Sequence, residues 1–158
     1  MRISVELVPR NSTDLLTDAA TVQAVMPEAS VFNIPDLSRF SLRSWEACAL
    51  TSKLMPSIPH IRAMDIPPGD EVPLARTILE SGLSEVLVIQ GDPPHDVSKR
   101  TYPHTSVDII RRFKKHHPEL NWNREFAKSA LRVIRSLQAN VYFMPIRVDL
   151  AKYLTGLA

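Results

Sequence analysis

Polar side chains of a few chemically useful types stand inside or just after short apolar runs. Glu6 lies within "ISVELVPR" (3–10), Asn33 and Asp36 close "VFNIPD" (31–36), and His60 and Asp65 bracket "PHIRAMD" (59–65). Gln90 and Asp92 end "EVLVIQGD" (85–92), and Arg147 ends "VYFMPIRV" (141–148). A carboxylate inside an apolar strand is shielded from water, which favours its protonated form and makes Glu6 a candidate general acid near neutral pH. The others are hydrogen-bonding or charged groups that can line one pocket, although strand ends are polar wherever they meet loops. Pairs such as His60 with Asp65, or Asp92 with His95, raise the question of a metal. No His-x-His and no cluster of three ligands accompanies them, so no metal site is expected.

The elements that must position these residues alternate in type. "ISVELV" is a β-branched run. "TDLLTDAATVQAVM" then puts Leu15, Ala19, Val22 and Met26 on one helical face. The pair recurs as "SVFNI" with "SWEACALTSKLM", and as "PHIRAMD" with "DEVPLARTILESG". In the last of these Asp70 is placed to cap, Pro73 falls in the first turn, and Gly82 is placed to terminate. "EVLVIQG" is followed by "TSVDIIRRFKKHH", which has a capping-box spacing at Thr105/Asp108 and basic residues at its end. A fifth helix, "NREFAKSALRVIRSLQA", leads into "VYFMPIRV". Repeated βα units without hairpin signals mean a parallel sheet.

Both an open doubly wound sheet and a (β/α)8 TIM barrel satisfy that pattern, and a complete barrel needs about 200 residues or more. The chain has 158. Two helical segments meet near 121–123 with no strand between them, and only 4 glycines are present, against a usual share of about 7%. The expectation is one α/β domain over 1–158, an incomplete (β/α)8 barrel with a segment missing near 121–123.

Composition narrows the function classes. The 19 Lys+Arg against 17 Asp+Glu give a net charge of +2, too balanced to argue for nucleic acid or a membrane surface. "RRFKKHH" lacks interleaved aromatics and reads as a solvated helix end, and Trp45 and Trp122 read as packing residues. Cys48 is the only cysteine, which fits a reducing compartment, and no signal peptide or membrane span is evident. A cytoplasmic protein is expected.

Four of these segments, in order, carry a resemblance. "SVELVPR" resembles the first-strand motif Ser-Phe-Glu-Phe-Phe-Pro-Pro of the methylenetetrahydrofolate reductases, with Glu6 at the acid's place. "IPHIRAMD" resembles their third-strand run, "VLVIQGDPP" their Arg-Gly-Asp-Pro-Pro segment with Gln90 in place of the arginine, and "YPHTSVDIIRRF" the helix that comes after it. "VFNIPD" is similar to the divergent branch associated with cobalamin-dependent methyl transfer, and "VYFMPI" resembles a late barrel strand. The family's middle strands, including the one bearing the pterin-binding glutamine, have no counterpart.

The resemblance implies a flavoprotein of one-carbon metabolism that binds FAD at the strand C-termini, takes hydride from NADH or NADPH, and reduces 5,10-methylenetetrahydrofolate to 5-methyltetrahydrofolate. It makes Glu6 the acid that opens the folate ring and Asp92 the stabiliser of the resulting cation. It assigns Asn33, His60, Gln90, Gly91 and Asp92 to the cofactor. A loop-capping Asp92 and a purely structural His60 are the alternatives, and Asp65 is expected to hold a loop. The competing reading of the whole is a non-catalytic or reassigned barrel subunit that binds a corrinoid or iron-sulfur partner. A homo-oligomer is compatible with either.

Overall fold

The strand that begins at Ile3 is short, and Pro9, which cannot donate to a ladder, comes soon after it. A computed structural model describes residues 3–93 and 98–122. Its elements are β1 (Ile3–Glu6), α1 (Ser12–Val25), β2 (Ala29–Ile34), α2 (Ser44–Thr51), β3 (Ser57–Arg62), a 3-10 turn (Ala63–Asp65), α3 (Glu71–Glu80), β4 (Glu85–Ile89), α4 (Ser106–His116) and β5 (Asn121–Trp122). The chain divides into two units, 1–122 and 123–158, and all of these elements belong to the first. The expected fifth helix, the "VYFMPIRV" strand with Arg147, and His95 lie outside the described residues.

All neighbouring strands pair in parallel, in the order β1-β2-β3-β4-β5. Right-handed crossovers between strands laid down in sequence order put their helices on one face of the sheet. The burial pattern agrees. Val5, Phe32, Ile34, Ile61, Val86 and Val88 join one core with Leu15, Ala19 and Val22 of α1, Ala47 and Cys48 of α2, Ala75 and Ile78 of α3, and Ile109 and Phe113 of α4. The intervening strand residues point the other way. This architecture is α/β with a parallel sheet. The sheet is open among the described residues, so a closed eightfold barrel is not part of what they contain.

Two local expectations need correction. No strand was expected between α4 and the next helix, yet Asn121 and Trp122 pair with Glu85 and Val86 of β4. Two residues carry no readable period, and their pairing comes from the edge that β4 offers. Asp70, expected to cap α3, makes no capping bond. Its backbone is helical (φ −83°, ψ −10°) rather than extended, so the carboxylate does not turn back onto the first amides. Glu71 takes a bond from the Gly69 amide instead, at 2.7 Å. The other end of α3 is as expected. Gly82 has φ +78°, its amide bonds to Leu79 O, and Leu83 N reaches Ile78 O, which is the glycine-terminated Schellman arrangement.

The Thr105/Asp108 capping box of α4 is formed, with Asp108 N on Thr105 Oγ1 and Thr105 N on Asp108 Oδ2. A charged tie joins this helix to α3: Arg112 Nη1 bonds Glu71 Oε1, and Glu71 is buried. Burial alone would raise the Glu71 pKa, but bonds from its own amide, from Arg112 and from Gly69 more than offset that, and the net shift is downward. The stabilisation is therefore present above the ordinary glutamate value of 4.5 and lost as pH falls through the lowered folded value. Replacement by Gln removes a charge-assisted bond worth about 1–3 kcal/mol. Urea unfolding should show Glu71→Gln less stable by that amount at pH 7, with the gap between variant and wild type closing in acid.

Candidate functional site

The C-terminal ends of β2, β3 and β4 are tied together by two arginines and one buried carboxylate. Asp36, two residues past β2, is 4% exposed. Its Oδ1 accepts from Arg43 Nε at 3.0 Å and its Oδ2 from Arg43 Nη2, a two-point grip on one guanidinium. Oδ1 also accepts from the Ser44 amide at 3.3 Å, so the carboxylate satisfies one of the free donors that open α2. Ser44 then passes the connection on: its Oγ donates to the His60 carbonyl in β3 at 2.7 Å.

Arg62, at the end of β3, makes the next link. Its Nε donates to Asp65 Oδ2 at 2.7 Å and its Nη2 to the Asp92 carbonyl at 2.7 Å. Asp65 thus holds its turn, as expected. Gly91 makes the close approach possible. With φ +88°, a Cβ there would stand 3.2 Å from Arg62 Cζ and from the Met64 side chain. Gln90 holds the loop that returns to α4, donating from Nε2 to His104 O at 3.0 Å.

These links border two cavities. The larger, about 430 Å³, lies between α2, the end of β3 and α3. Trp45, Ile61, Ile66, Pro67 and Leu74 provide its apolar wall, and Asp36, Arg43, Arg62 and Asp65 its polar rim. The smaller, about 240 Å³, is lined by Ser38, Arg43, Arg62, Asp65, Lys99 and Arg100. Trp45 packs against the core, as expected, but also faces the larger cavity, with the Arg43 guanidinium 4.8 Å from its ring centre.

Glu6, Asn33 and His60 belong to a different surface, the sheet face away from the helices. Glu6 pairs in register with Asn33, and Asn33 with Ile58, two residues before His60. Neighbours in register share a face, so the three side chains stand along the same side. Glu6 is half-buried, and burial pushes its carboxyl above the usual carboxylate range. Burial also lowers His60 to about 4, which leaves its ring neutral at pH 7, and its Nε2 has no partner among the described residues. Asn33 donates from Nδ2 to Ser4 Oγ.

The residues expected to form one pocket are therefore split between two places. Asp36 and Asp65 border the cavities. Glu6, Asn33 and His60 line the sheet face away from the helices, where Asn33 is buried and the other two are half-buried. Gln90 serves its loop, and Asp92 is an exposed residue whose carbonyl anchors Arg62. Sequence reasoning passed over Arg43, Arg62, Lys99 and Arg100. Arg62 had a usable signal, since it is the last residue of β3 and so stands at the C-terminal end of a parallel strand. Among the described residues no three His, Cys, Asp or Glu side chains group as metal ligands, and no helix is long and apolar enough to cross a membrane.

Comparison with protein-family models and with curated proteins finds no match. The class supported by fold and site is thus an α/β protein with a parallel sheet and a polar rim at its strand ends.

That rim depends on Asp36. Asp36→Ala leaves the Arg43 fork and the Ser44 amide without their acceptor and should cost about 2–3 kcal/mol by urea unfolding. Asp36→Asn, which keeps an acceptor for Ser44 but no charge for Arg43, should cost less.

Proposed function

We propose that this chain is a flavin-dependent reductase that converts 5,10-methylenetetrahydrofolate to 5-methyltetrahydrofolate, cytoplasmic, and built on the sheet of a (β/α)8 barrel. The observation that carries this reading is Glu6: a carboxyl at the end of β1 whose pKa burial raises, on the same sheet face as a neutral histidine. The motifs that resemble the reductase family support it. The residues of β1 to β3 also fit a flavin, because the buried His60 Nε2 lacks a partner among the described residues and a flavin ring is rich in hydrogen-bonding edges.

In this reading Glu6 donates its proton to N10 of the folate as the bond between N10 and the bridging carbon breaks. N10 keeps the electron pair, and the carbon becomes a 5-iminium cation. Asp92 offsets that positive charge, and Asn33 and His60 orient the ring system beside Glu6. Gly91 lets the Asp92 carbonyl close onto Arg62, which holds the β4 end against β3, and Gln90 braces the loop behind it. The chemistry that a bound flavin adds is delivery of hydride to the iminium carbon after reduction by NADH or NADPH.

The deciding measurement is the visible spectrum of the purified protein, before and after NADH is added without oxygen. A flavin band that bleaches supports the reductase. No band, even after FAD is supplied, favours the reassigned subunit that docks a corrinoid or iron-sulfur partner. In the flavoprotein, Glu6→Gln should leave reduction by NAD(P)H intact and lower folate turnover by on the order of 10³-fold. Because activity needs the protonated acid, wild-type turnover should fall as pH rises through the raised Glu6 value. Gln carries no charge to desolvate, so the variant should unfold no more easily than wild type at pH 7.

A further inference from the structure

The cationic cavity beside the strand ends is not used by the proposed chemistry, and its charge balance is unequal. Of its four cations, Arg43 is matched by Asp36 and Arg62 by Asp65. Lys99 spends one donor on the Ser38 carbonyl, at 2.7 Å, and Arg100 lies 5.4 Å from the Tyr102 ring centre. Neither makes an ion pair with another described residue, so among these residues two positive charges remain uncompensated on a cavity of about 240 Å³. A phosphate monoester carries about −1.5 to −2 near neutral pH and three acceptor oxygens, which matches that excess and the donors around it. The cavity shares Arg43, Arg62 and Asp65 with the larger, partly apolar cavity that contains Trp45. A molecule with its phosphate in the first and a flat or apolar body in the second would occupy both.

We infer that the two adjoining cavities form one site for a phosphorylated small molecule, with Lys99 and Arg100 as the charges that hold the phosphate and the Trp45, Ile66 and Leu74 wall receiving the body. The inference stands on these cavities and holds whether or not Glu6 serves a folate.

Isothermal titration of the full chain with inorganic phosphate, 1-naphthyl phosphate and 1-naphthol tests it. The aryl phosphate should bind more tightly than either of the other two, and raising the salt should weaken it. Lys99→Gln with Arg100→Gln should reduce aryl phosphate affinity about tenfold or more, the loss of at least one charge-assisted bond. Its melting temperature should stay close to wild type, because both residues are exposed. Leu74→Glu should weaken the aryl phosphate and leave inorganic phosphate unchanged, which separates the two halves. Equal affinity for 1-naphthol and its phosphate would overturn the inference. So would equal affinity for inorganic and aryl phosphate, or an unaltered affinity in the double variant with its fold retained.

Discussion

The buried carboxylate of Asp36 is the constraint on which the strand-end architecture rests. A carboxylate removed from water is tolerated only when its oxygens are met by donors of opposite or partial positive charge. Asp36 meets that condition with an arginine fork and the first amide of α2. The consequence is geometric: α2 must begin where those donors coincide. From there Ser44 reaches the His60 carbonyl, so the position of α2 also bears on β3. The cost of burying one charge is thereby converted into the alignment of three elements.

Beneath this rim the fold depends on simpler forces. Side chains such as Phe32, Leu15, Ile78 and Ile109 are withdrawn from water between sheet and helices, each contributing about 1.5–3 kcal/mol relative to exposure. That total exceeds what the ion pairs supply, since Arg43 and Arg112 keep 41% and 45% of their side-chain surface in solvent and pairs open to water gain little. The apolar seam holds the layers together, and the polar links select where the strand ends stop.

The parts of this organisation that were legible in the sequence are those with local causes. The spacing of Leu15, Ala19 and Val22 marks α1, the Thr105/Asp108 pair marks the start of α4, and Gly82 marks the end of α3, because each signal acts within a turn or two of helix. Glu6 was legible for the same reason: an acid flanked by Val5 and Leu7 announces its own burial. Asn121 and Trp122 were not, because their strand state is conferred by β4. Nor were the partners of Arg43 and Arg62. A guanidinium seven residues from its carboxylate, or thirty residues from the carbonyl it grips, leaves no periodic trace. The strand-end residues divide between the cavities, bordered by Asp36 and Asp65 beyond the ends of β2 and β3, and the sheet face of Glu6, Asn33 and His60, and that division requires knowing where each strand stops.

The Asp36 grip on Arg43 also closes the segment between them into a ring, with residues 37–42 as its free arc. Phe40 N bonds Leu37 O within the arc, and the Ser38 carbonyl meets Lys99. Such a ring uncouples loop length from helix position: doubling a loop costs only about 0.6 kcal/mol of closure entropy, and the added residues need not move α2 while the clasp persists. The arc therefore offers lineages and protein engineers alike a place to insert, shorten or exchange residues at the edge of a cavity without disturbing the sheet, much as a locket's face can be changed while its hinge stays shut.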